Sequence, residues 1–412
     1  MNKAPRYFIW DYILAMSVFA ACTGPIISKL TMYFGFSLAL SNFINAFATI
    51  LPMFQLAGSL AYGMSTSPVH FLRHTNGIWR LYFPLVFFSV LLPGEEGKWM
   101  MVISYMLTVG ILQFSNSAQV SWMSSCVDSQ VGPDYYSKRE TWYMVVFTAF
   151  FCIVSLAIDY AEKNQMLEKA FIGAGIFASI MMAISLCVLM RIPAPPTNPR
   201  KMPNWKGLLE PLMHKDFKRV ILSNVAWNVS INFLFCFSVV YQVQVLKLSF
   251  FSIMLWTTIA NTIRTLCIPA AGKLGEKIGW PRLKALCCVL MAVSGLVWAM
   301  TSRENSAYLY PVAMILCTLP YSGLSVGFMK TQIAASPEDS RSIYIAVLAC
   351  MSGLAALIGS VVSSSALHYL ENLPTPHPEY IFYVGIVVTL LAAVTFAIVR
   401  NPEERSTADD VQ

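Results

Sequence analysis

Charged residues are scarce in this chain of 412 residues, since Asp, Glu, Lys and Arg together make up only 12% of it. Soluble domains carry roughly 25% charged residues, so this shortage argues against a soluble globular protein. Hydrophobic residues account for 57% of the sequence, and the mean hydropathy is +0.60. We therefore expect a multi-pass membrane protein whose main surface partner is the lipid bilayer.

Two cysteine patterns are missing as well. The ten cysteines contain no CxxC pair, and only Cys287 and Cys288 are adjacent, so neither a zinc site nor a disulfide framework is predicted. The sequence also lacks a nucleophile with acid and base partners at the depth of the membrane interface, which argues against an enzyme. We expect no metal, no cofactor and no catalytic residue.

Long apolar runs are what the sequence has instead. A helix needs about 20 apolar residues to cross a bilayer, and twelve runs approach that length. They lie at about 8–31, 36–61, 78–93, 98–126, 139–160, 167–191, 217–241, 249–272, 281–302, 306–334, 341–370 and 379–400. Because polar and apolar residues do not alternate in these runs, the sequence predicts transmembrane helices and not a β-barrel.

Lys and Arg fall mainly on one side of these runs. With both termini in the cytoplasm, 21 basic residues lie in inner segments, six lie at outer ends and Arg264 lies within a run. Inner loops of membrane proteins are enriched in Lys and Arg, which favours this orientation in the cytoplasmic (inner) membrane. The net charge of +7 then reflects insertion and contact with anionic lipid, and gives no reason to expect nucleic acid as a partner.

Two loop patterns recur half the chain apart. Residues 130–139 (QVGPDYYSKR) and 335–344 (ASPEDSRSIY) each place a proline, then an acid, then an arginine before the next apolar run. Residues 56–60 (LAGSL) and 270–274 (AAGKL) form a second repeat of the same kind. Internal repeats of this type are typical of carriers built from two related helical bundles.

The longest inner connection, residues 192–215, divides the chain near its middle. It opens with four prolines in seven positions, 193–199, and proline cannot continue a helix. The sequence therefore predicts an all-α membrane protein with twelve transmembrane helices in two pseudo-symmetric six-helix bundles, residues 1–191 and 216–412. The second bundle ends in a short polar tail, and we expect a monomer.

Residues 272–282 (GKLGEKIGWPR) join two apolar runs through a glycine, an acid and a basic cluster. This stretch resembles the inner-loop signature of the major facilitator superfamily, and the resemblance covers essentially the whole chain. A degraded first-half copy keeps Gly58, Gly63 and Arg73 but has no acid. Residues 216–228 resemble the start of the seventh helix in bacterial members of uncharacterised substrate. The resemblance implies a secondary transporter that moves a small-molecule solute by alternating access.

The signature loop suggests an ionic gate at the cytoplasmic face. Charged groups at the inner ends of helices can pair with each other or with helix termini, and so hold two bundles together while the cavity opens outward. The candidate gate residues are Asp128, Arg139, Gly272, Glu276, Arg282 and Arg341. The alternative is that these are surface charges that serve only to set the topology.

Arg264 lies near the middle of the eighth run and is the only basic side chain away from the ends of a run. An arginine at bilayer depth costs roughly 2.5–3.5 kcal/mol, so it must face the bundle interior or an aqueous cavity. Its guanidinium can form bidentate hydrogen bonds to a carboxylate or phosphate, which favours an anionic solute. The alternative is a structural arginine bonded to helix carbonyls and to neighbours such as Asn261.

Two rows of amide side chains accompany Arg264. One row has a spacing of four on the seventh run and the other a spacing of three on the fourth run, so each lies on one helix face. The resemblance implies that these helices line the central cavity. The predicted substrate-binding residues are Arg264, Asn224, Trp227, Asn228, Asn232, Gln113, Asn116 and Tyr321. The alternative for both rows is hydrogen bonding between helices.

Three functions stay open on the sequence. Transport of a small organic anion leads, efflux of drugs or other amphiphiles is second, and a receptor or scaffold that keeps the fold without transport is third. The acids inside or at the edges of the runs, Asp11, Asp128, Glu140 and Asp159, all lie near run ends. The sequence therefore offers no clear proton carrier, and co-transport of a proton stays one alternative.

Overall fold

The computed structural model of the protein describes residues 4–126, 132–194, 205–337 and 341–398. All regular structure in these ranges is helical, which confirms the predicted all-α class. The α-helices are α1 Ala4–Ala21, α2 Pro25–Tyr33, α3 Leu38–Asn45, α4 Phe47–Ile50, α5 Phe54–Met64, α6 Pro68–Phe88, α7 Gly94–Cys126, α8 Gly132–Lys163, α9 Leu167–Leu189, α10 Trp205–Met213, α11 Lys215–Ile231, α12 Phe237–Val240, α13 Phe250–Ile278, α14 Trp280–Met300, α15 Ser306–Thr318, α16 Tyr321–Ala335, α17 Arg341–Glu371 and α18 Tyr380–Ile398.

Ten of the described helical segments are long and apolar enough to cross a membrane, and α1 with α2 makes an eleventh if the two count as one bent span. The bend between them is 45°. Gly24 lies at the bend with φ of +59°, a left-handed conformation that glycine adopts without steric cost. Pro25 then occupies the first turn of α2, where its missing N–H removes no helix bond. The first predicted run is therefore a broken helix.

The predicted run 78–93 differs most from the structure. The helix at this place, α6, begins at Pro68, ten positions earlier, and it is not among the candidate spans because its first half is polar. Asn76 and Arg80 are nevertheless buried in it, at 0% and 2% exposure. A hydropathy scan reads such residues as interfacial, whereas here other helices of the bundle cover them.

The chain forms two compact units. Unit 1 comprises Met1–Phe36, Phe54–Met202 and Ser249–Met254, and unit 2 comprises Ser37–Met53, Pro203–Leu248 and Leu255–Gln412. Unit 1 thus holds α1, α2, α5 to α9 and the first turn of α13, while unit 2 holds the other helices and the rest of α13. The division of the chain at 192–215 stays a prediction.

Within unit 1, α5 and α7 approach each other closely at Gly58. A Cβ atom on Gly58 would lie 1.6 Å from the carbonyl oxygen of Phe114, so no larger residue fits without moving a helix. The hydroxyls of Ser59 and Ser117 are hydrogen-bonded next to this contact at 2.6 Å. The glycine of the repeated pattern therefore sets the distance between two helices.

Within unit 2, α11 continues into two π-helical turns, Asn232–Cys236 and Tyr241–Val245, which flank α12. Such turns are rare and often lie at functional sites. The buried hydroxyl of Tyr241 donates to the carbonyl oxygen of Thr301 at 2.8 Å, and the Tyr241 ring packs edge-on against Phe382. The C-terminal part of this helix is thus fixed by an aromatic core.

Candidate functional site

A partly open cavity of about 290 Å³ lies within unit 1 and is lined by α1, α6, α7 and α8. Its volume is close to the lower end of the range for small-molecule sites, roughly 300–1,000 Å³. The polar part of its wall consists of Asp11, Arg80, Gln113, Asn116, Gln119 and Arg139, and the apolar part includes Phe8, Tyr12, Met16, Trp79 and Met123. The cavity therefore combines charge, amides and aromatic faces.

The amide row of α7 is one wall of this cavity. Gln113 and Asn116 line it as partly buried side chains, together with Gln119. The Gln55 amide donates to Oε1 of Gln113 at 2.9 Å, which orients the Gln113 side chain. That these amides bind a solute stays a prediction.

A buried ion pair on the cavity wall joins α1 to α6. Nη2 of Arg80 donates to Oδ1 of Asp11 at 2.8 Å, and the two side chains are only 2% and 1% exposed. Ser185 of α9 donates to the same Oδ1 at 3.0 Å and accepts from Nε of Arg80 at 3.2 Å. The remaining Arg80 donor, Nη1, meets the carbonyl oxygen of Asn76 at 2.7 Å, and the guanidinium lies 4.8 Å from the Trp79 ring.

This pair corrects two statements drawn from the sequence. Arg80 was counted with the inner topological charges, yet it is the thirteenth residue of α6 and is buried, so Arg264 is not the only basic side chain away from a helix end. Asp11 was placed near the end of its run, yet it is the eighth residue of α1 and the one fully buried carboxylate among the described residues. Sequence reasoning missed the pair because its members are 69 positions apart.

Arg139, one of the candidate gate residues, lies at the rim of the same cavity. Its Nη2 pairs with Glu140 at 2.6 Å, and its guanidinium lies 4.2 Å from the Tyr12 ring. Asp128, another candidate gate residue, lies outside the described residues, as does the side chain of Arg341. The gate role of Arg139 stays a prediction.

The gate candidates of the signature loop lie where α13 ends and α14 begins. Glu276 and Arg282 are exposed to solvent, and open space surrounds the Cα of Gly272, since a Cβ there would meet nothing within 4 Å. The close approach is made by the next glycine, because a Cβ on Gly275 would lie 2.4 Å from the Trp280 ring. Gly275 therefore lets the loop fold back onto α14.

The amide row of α11 forms a ladder along its own helix. The side-chain amides of Asn224, Asn228 and Asn232 donate to the carbonyl oxygens of Val220, Asn224 and Asn228, respectively, at 2.7–3.1 Å. Oδ1 of Asn232 accepts from Ser360 at 2.8 Å and from Thr49 at 3.2 Å. Asn232 is thus fully buried and hydrogen-bonded to neighbouring helices, while Asn228 is partly exposed.

Arg264 and Tyr321 carry two buried donors that have no partner. Nε of Arg264 and the hydroxyl of Tyr321 are both inaccessible to solvent and form no hydrogen bond with any described residue. The guanidinium is close enough to act electrostatically on the Tyr321 hydroxyl. The rings of Trp227 and Phe235 pack edge-on against Tyr321 with centroid distances of 5.8 and 5.7 Å. The helix-carbonyl and Asn261 contacts of a structural arginine are therefore not found among the described residues.

Lys284 of α14 is another buried cation that sequence reasoning counted among the topological charges. It is 3% exposed, and its Nζ donates to Oγ1 of Thr331 at 3.2 Å. The rings of Phe328 and Phe396 lie 5.3 and 4.9 Å from Nζ. Two aromatic faces and one hydroxyl thus take the place of a carboxylate partner. Because Lys284 has no acidic partner among these contacts, the sequence offered no acid with which to predict an ion pair.

The comparisons with known proteins agree with this fold. The sequence model of the Major Facilitator Superfamily matches residues 244–411, while no curated protein matches the chain. The structure of the nucleoside transporter NupG is 12% identical, with a TM-score of 0.70 over 97% of this chain and 99% of that one. A D-xylose-proton symporter is 14% identical, with a TM-score of 0.70 over 96% and 97%. A bacterial homologue of the iron transporter ferroportin, in its inward-facing state, is 17% identical, with a TM-score of 0.69 over 97% and 99%.

Proposed function

We propose that this chain is a transporter of the Major Facilitator Superfamily, not an enzyme, and that it carries a small organic anion across the cytoplasmic membrane. The family model that matches residues 244–411 and the fold shared with solved transporters support this proposal. Transport proceeds by alternating access, with both termini in the cytoplasm. The names of the similar structures span nucleosides, a sugar, peptides and iron, so the fold does not single out a solute. The anionic character rests on side-chain chemistry.

One observation carries the anion proposal. Arg264 is a cation within a helix of bilayer depth, and no described carboxylate pairs with it. The residue as a whole is partly exposed, but its Nε is inaccessible to solvent. A cation within the membrane is normally compensated by an opposite charge or by water. Because Nε of Arg264 and the hydroxyl of Tyr321 are both donors without partners, a carboxylate or phosphate that accepts from both satisfies the two groups together.

The rest of the proposed binding set follows from the surroundings of these donors. Trp227 and Phe235 supply aromatic surface beside Tyr321, which suits the apolar part of a solute. Asn228 is the partly exposed member of the α11 ladder and offers its Oδ1, whereas Asn224 and Asn232 position it from within the helix.

The test is ligand binding followed by flux. The purified protein is screened for thermal stabilisation by carboxylates, phosphate esters and their uncharged analogues, because a ligand that binds only the folded state raises its stability. We expect stabilisation by anions alone, and uptake of the same anions into proteoliposomes. Arg264→Lys should weaken binding about tenfold or more although it keeps the charge, because the planar fork is lost.

Lys273→Met is the matched control, since it removes one exposed cation from the same helix. It should leave solute binding unchanged. Equal transport of an uncharged solute by the wild type and by Arg264→Ala would contradict the anion proposal. A protein that binds solutes but supports no flux would instead indicate a receptor.

A proton is the proposed co-transported ion, and Asp11 is the residue proposed to bind it. Only Oδ1 of Asp11 has described hydrogen-bond partners, and the residue lines the cavity of unit 1. Arg80 on α6 pairs with Asp11, and Tyr12 on α1 and Arg139 on α8 are the other titratable or charged groups that line the same cavity. An inward-directed proton gradient should accelerate uptake by the wild type but not by the double variant Asp11→Asn with Arg80→Met, in which no uncompensated charge stays buried. Equal acceleration of both would remove Asp11 from this role.

Efflux of amphiphiles is the second candidate, because a specific observation favours it. The apolar wall of the unit 1 cavity is aromatic and methionine-rich, with Trp79, Met16 and Met123 among its members. Flexible methionine and flat aromatic surfaces accommodate varied apolar ligands. Stabilisation by several unrelated amphiphiles, unaffected by Arg264→Ala, would favour this function over anion transport.

A further inference from the structure

The first turn of α13 is capped by a carboxylate from a distant helix. Asp159, near the end of α8, accepts from the backbone N–H of Phe250 at 2.7 Å through Oδ1 and from that of Phe251 at 2.8 Å through Oδ2. The Ser249 hydroxyl accepts from the N–H of Ser252 at 3.2 Å. Three of the four N–H groups that a helix start leaves without intrahelical partners are therefore satisfied.

The start of α3 is capped in the same way. Glu371, the last residue of α17, accepts from the N–H of Leu38 at 2.8 Å through Oε1 and from that of Ala39 at 3.2 Å through Oε2. The Ser37 hydroxyl accepts from the N–H of Leu40 at 3.2 Å. A serine thus holds the third N–H locally and a remote carboxylate holds the first two, as in α13.

The two caps are copies of one device. Ser249 follows Ser37 by 212 positions, and Glu371 follows Asp159 by the same 212 positions. Both members of each cap therefore recur at one spacing, as expected for a duplicated bundle. The two caps are reciprocal. Asp159, in the first half of the chain, caps a helix of the second half, and Glu371, in the second half, caps a helix of the first half.

Both caps can break at low cost in free energy. A carboxylate at a helix N-terminus is stabilised by the helix dipole and by charge-assisted hydrogen bonds. Asp159 and Glu371 are only partly buried, so water can solvate each carboxylate and the freed N–H groups when the cap opens. In the predicted topology both caps lie at the outer ends of their helices. Each can therefore open without leaving a charge buried.

We infer that the two caps form a paired latch at the outer face, which holds α8 to the start of α13 and α17 to the start of α3 and opens as a pair during the transport cycle. The inference rests on the alternating access of the proposed function. It does not depend on the solute, and its test needs none. Because the two caps hold equivalent positions in the repeat, we expect the motion that opens one cap to open the other as well.

Hydrogen–deuterium exchange of the full-length protein tests the pairing, with fragmentation that resolves single amides. In Asp159→Asn, exchange should speed up at Phe250 and Phe251 by roughly 2- to 30-fold, which is what one charged cap contributes. It should also speed up at Leu38 and Ala39, more than 100 positions away in the chain. Glu371→Gln should give the reverse pattern.

Ser249→Ala is the matched control, because it removes the local cap and leaves Asp159 in place. It should raise exchange at Ser252 and leave Leu38 and Ala39 unchanged. Independent structural caps predict that Asp159→Asn affects only α13, and this result would overturn the latch. If exchange is coupled but no anion is transported, the latch stands and the proposed solute class fails.

Discussion

Removing one member of the Asp11–Arg80 pair should destabilise the protein far more than removing both. Arg80→Met keeps most of the side-chain volume but leaves the Asp11 carboxylate buried, at 1% exposure, with only the Ser185 hydroxyl as a donor. Breaking a buried pair in this way costs about 3–5 kcal/mol. Asp11→Asn should cost a similar amount, because it leaves the Arg80 guanidinium, at 2% exposure, without a counter-charge.

The double variant combines both changes and should lose only about 0–2 kcal/mol, since no uncompensated charge stays buried. The amide oxygen that replaces the Asp11 carboxylate in this variant can still accept from Ser185. The expected coupling between the two sites is therefore about 3 kcal/mol or more, well above the agreement within about 0.5 kcal/mol that is usual for independent sites.

Reversible unfolding in mixed detergent micelles provides the free energy of each variant. Arg73→Met is a suitable control on the same helix, because Nη2 of Arg73 donates only to the carbonyl oxygen of Ile192 in the described contacts and no carboxylate depends on it. Losses in the double variant equal to the sum of the single losses would show that the two charges act independently. Water would then have to reach Asp11 through the cavity, and our account of the pair would be wrong.

Two further predictions concern glycine packing and the inner gate. Gly58→Ala should destabilise the protein by about 1–3 kcal/mol through overpacking, since its Cβ would meet the Phe114 carbonyl oxygen at 1.6 Å. Gly173→Ala should instead stabilise it by about 0.5–1 kcal/mol, because nothing lies within 4 Å of its Cβ position. Thermal unfolding of both variants checks this prediction, and equal effects would contradict it. Glu276→Gln should shift the conformational equilibrium toward the inward-open state by about 1–3 kcal/mol, measured by spin-label distances across the inner loops, and an unchanged distance distribution would remove Glu276 from the gate.

The positions of the apolar helices could be predicted from the sequence where lipid sets the composition. α9, at Leu167–Leu189, and α14, at Trp280–Met300, lie within a few residues of the predicted runs 167–191 and 281–302. Both consist almost wholly of apolar residues, so hydropathy alone locates them. The prediction failed at α6 because there the polar residues are matched by partners on other helices, and a local average contains no information about those partners.

The candidate site could be predicted in part. Spacing of four correctly places Asn224, Asn228 and Asn232 on one face of a helix, because that spacing follows from helix geometry. Spacing does not reveal that each amide bonds to its own helix, nor that Asn232 alone also reaches Ser360. The remote carboxylate of Asp159 was likewise seen only as an acid near a helix end, because a contact across 91 positions depends on the packed fold.

The two π-helical turns that follow α11 change the register of that helix. A π turn holds one residue more than an α turn, so the side chains beyond it are rotated by about 100° relative to an uninterrupted α-helix. Deleting one residue from Asn232–Cys236 would restore the α-helical phase. It would also swing Tyr241 away from the Thr301 carbonyl to which it donates. The residue inserted at Asn232–Cys236 therefore sets how the aromatic core is rotated relative to the amide ladder of α11. A sequence alignment that omits this inserted residue would match residues from different faces of the helix.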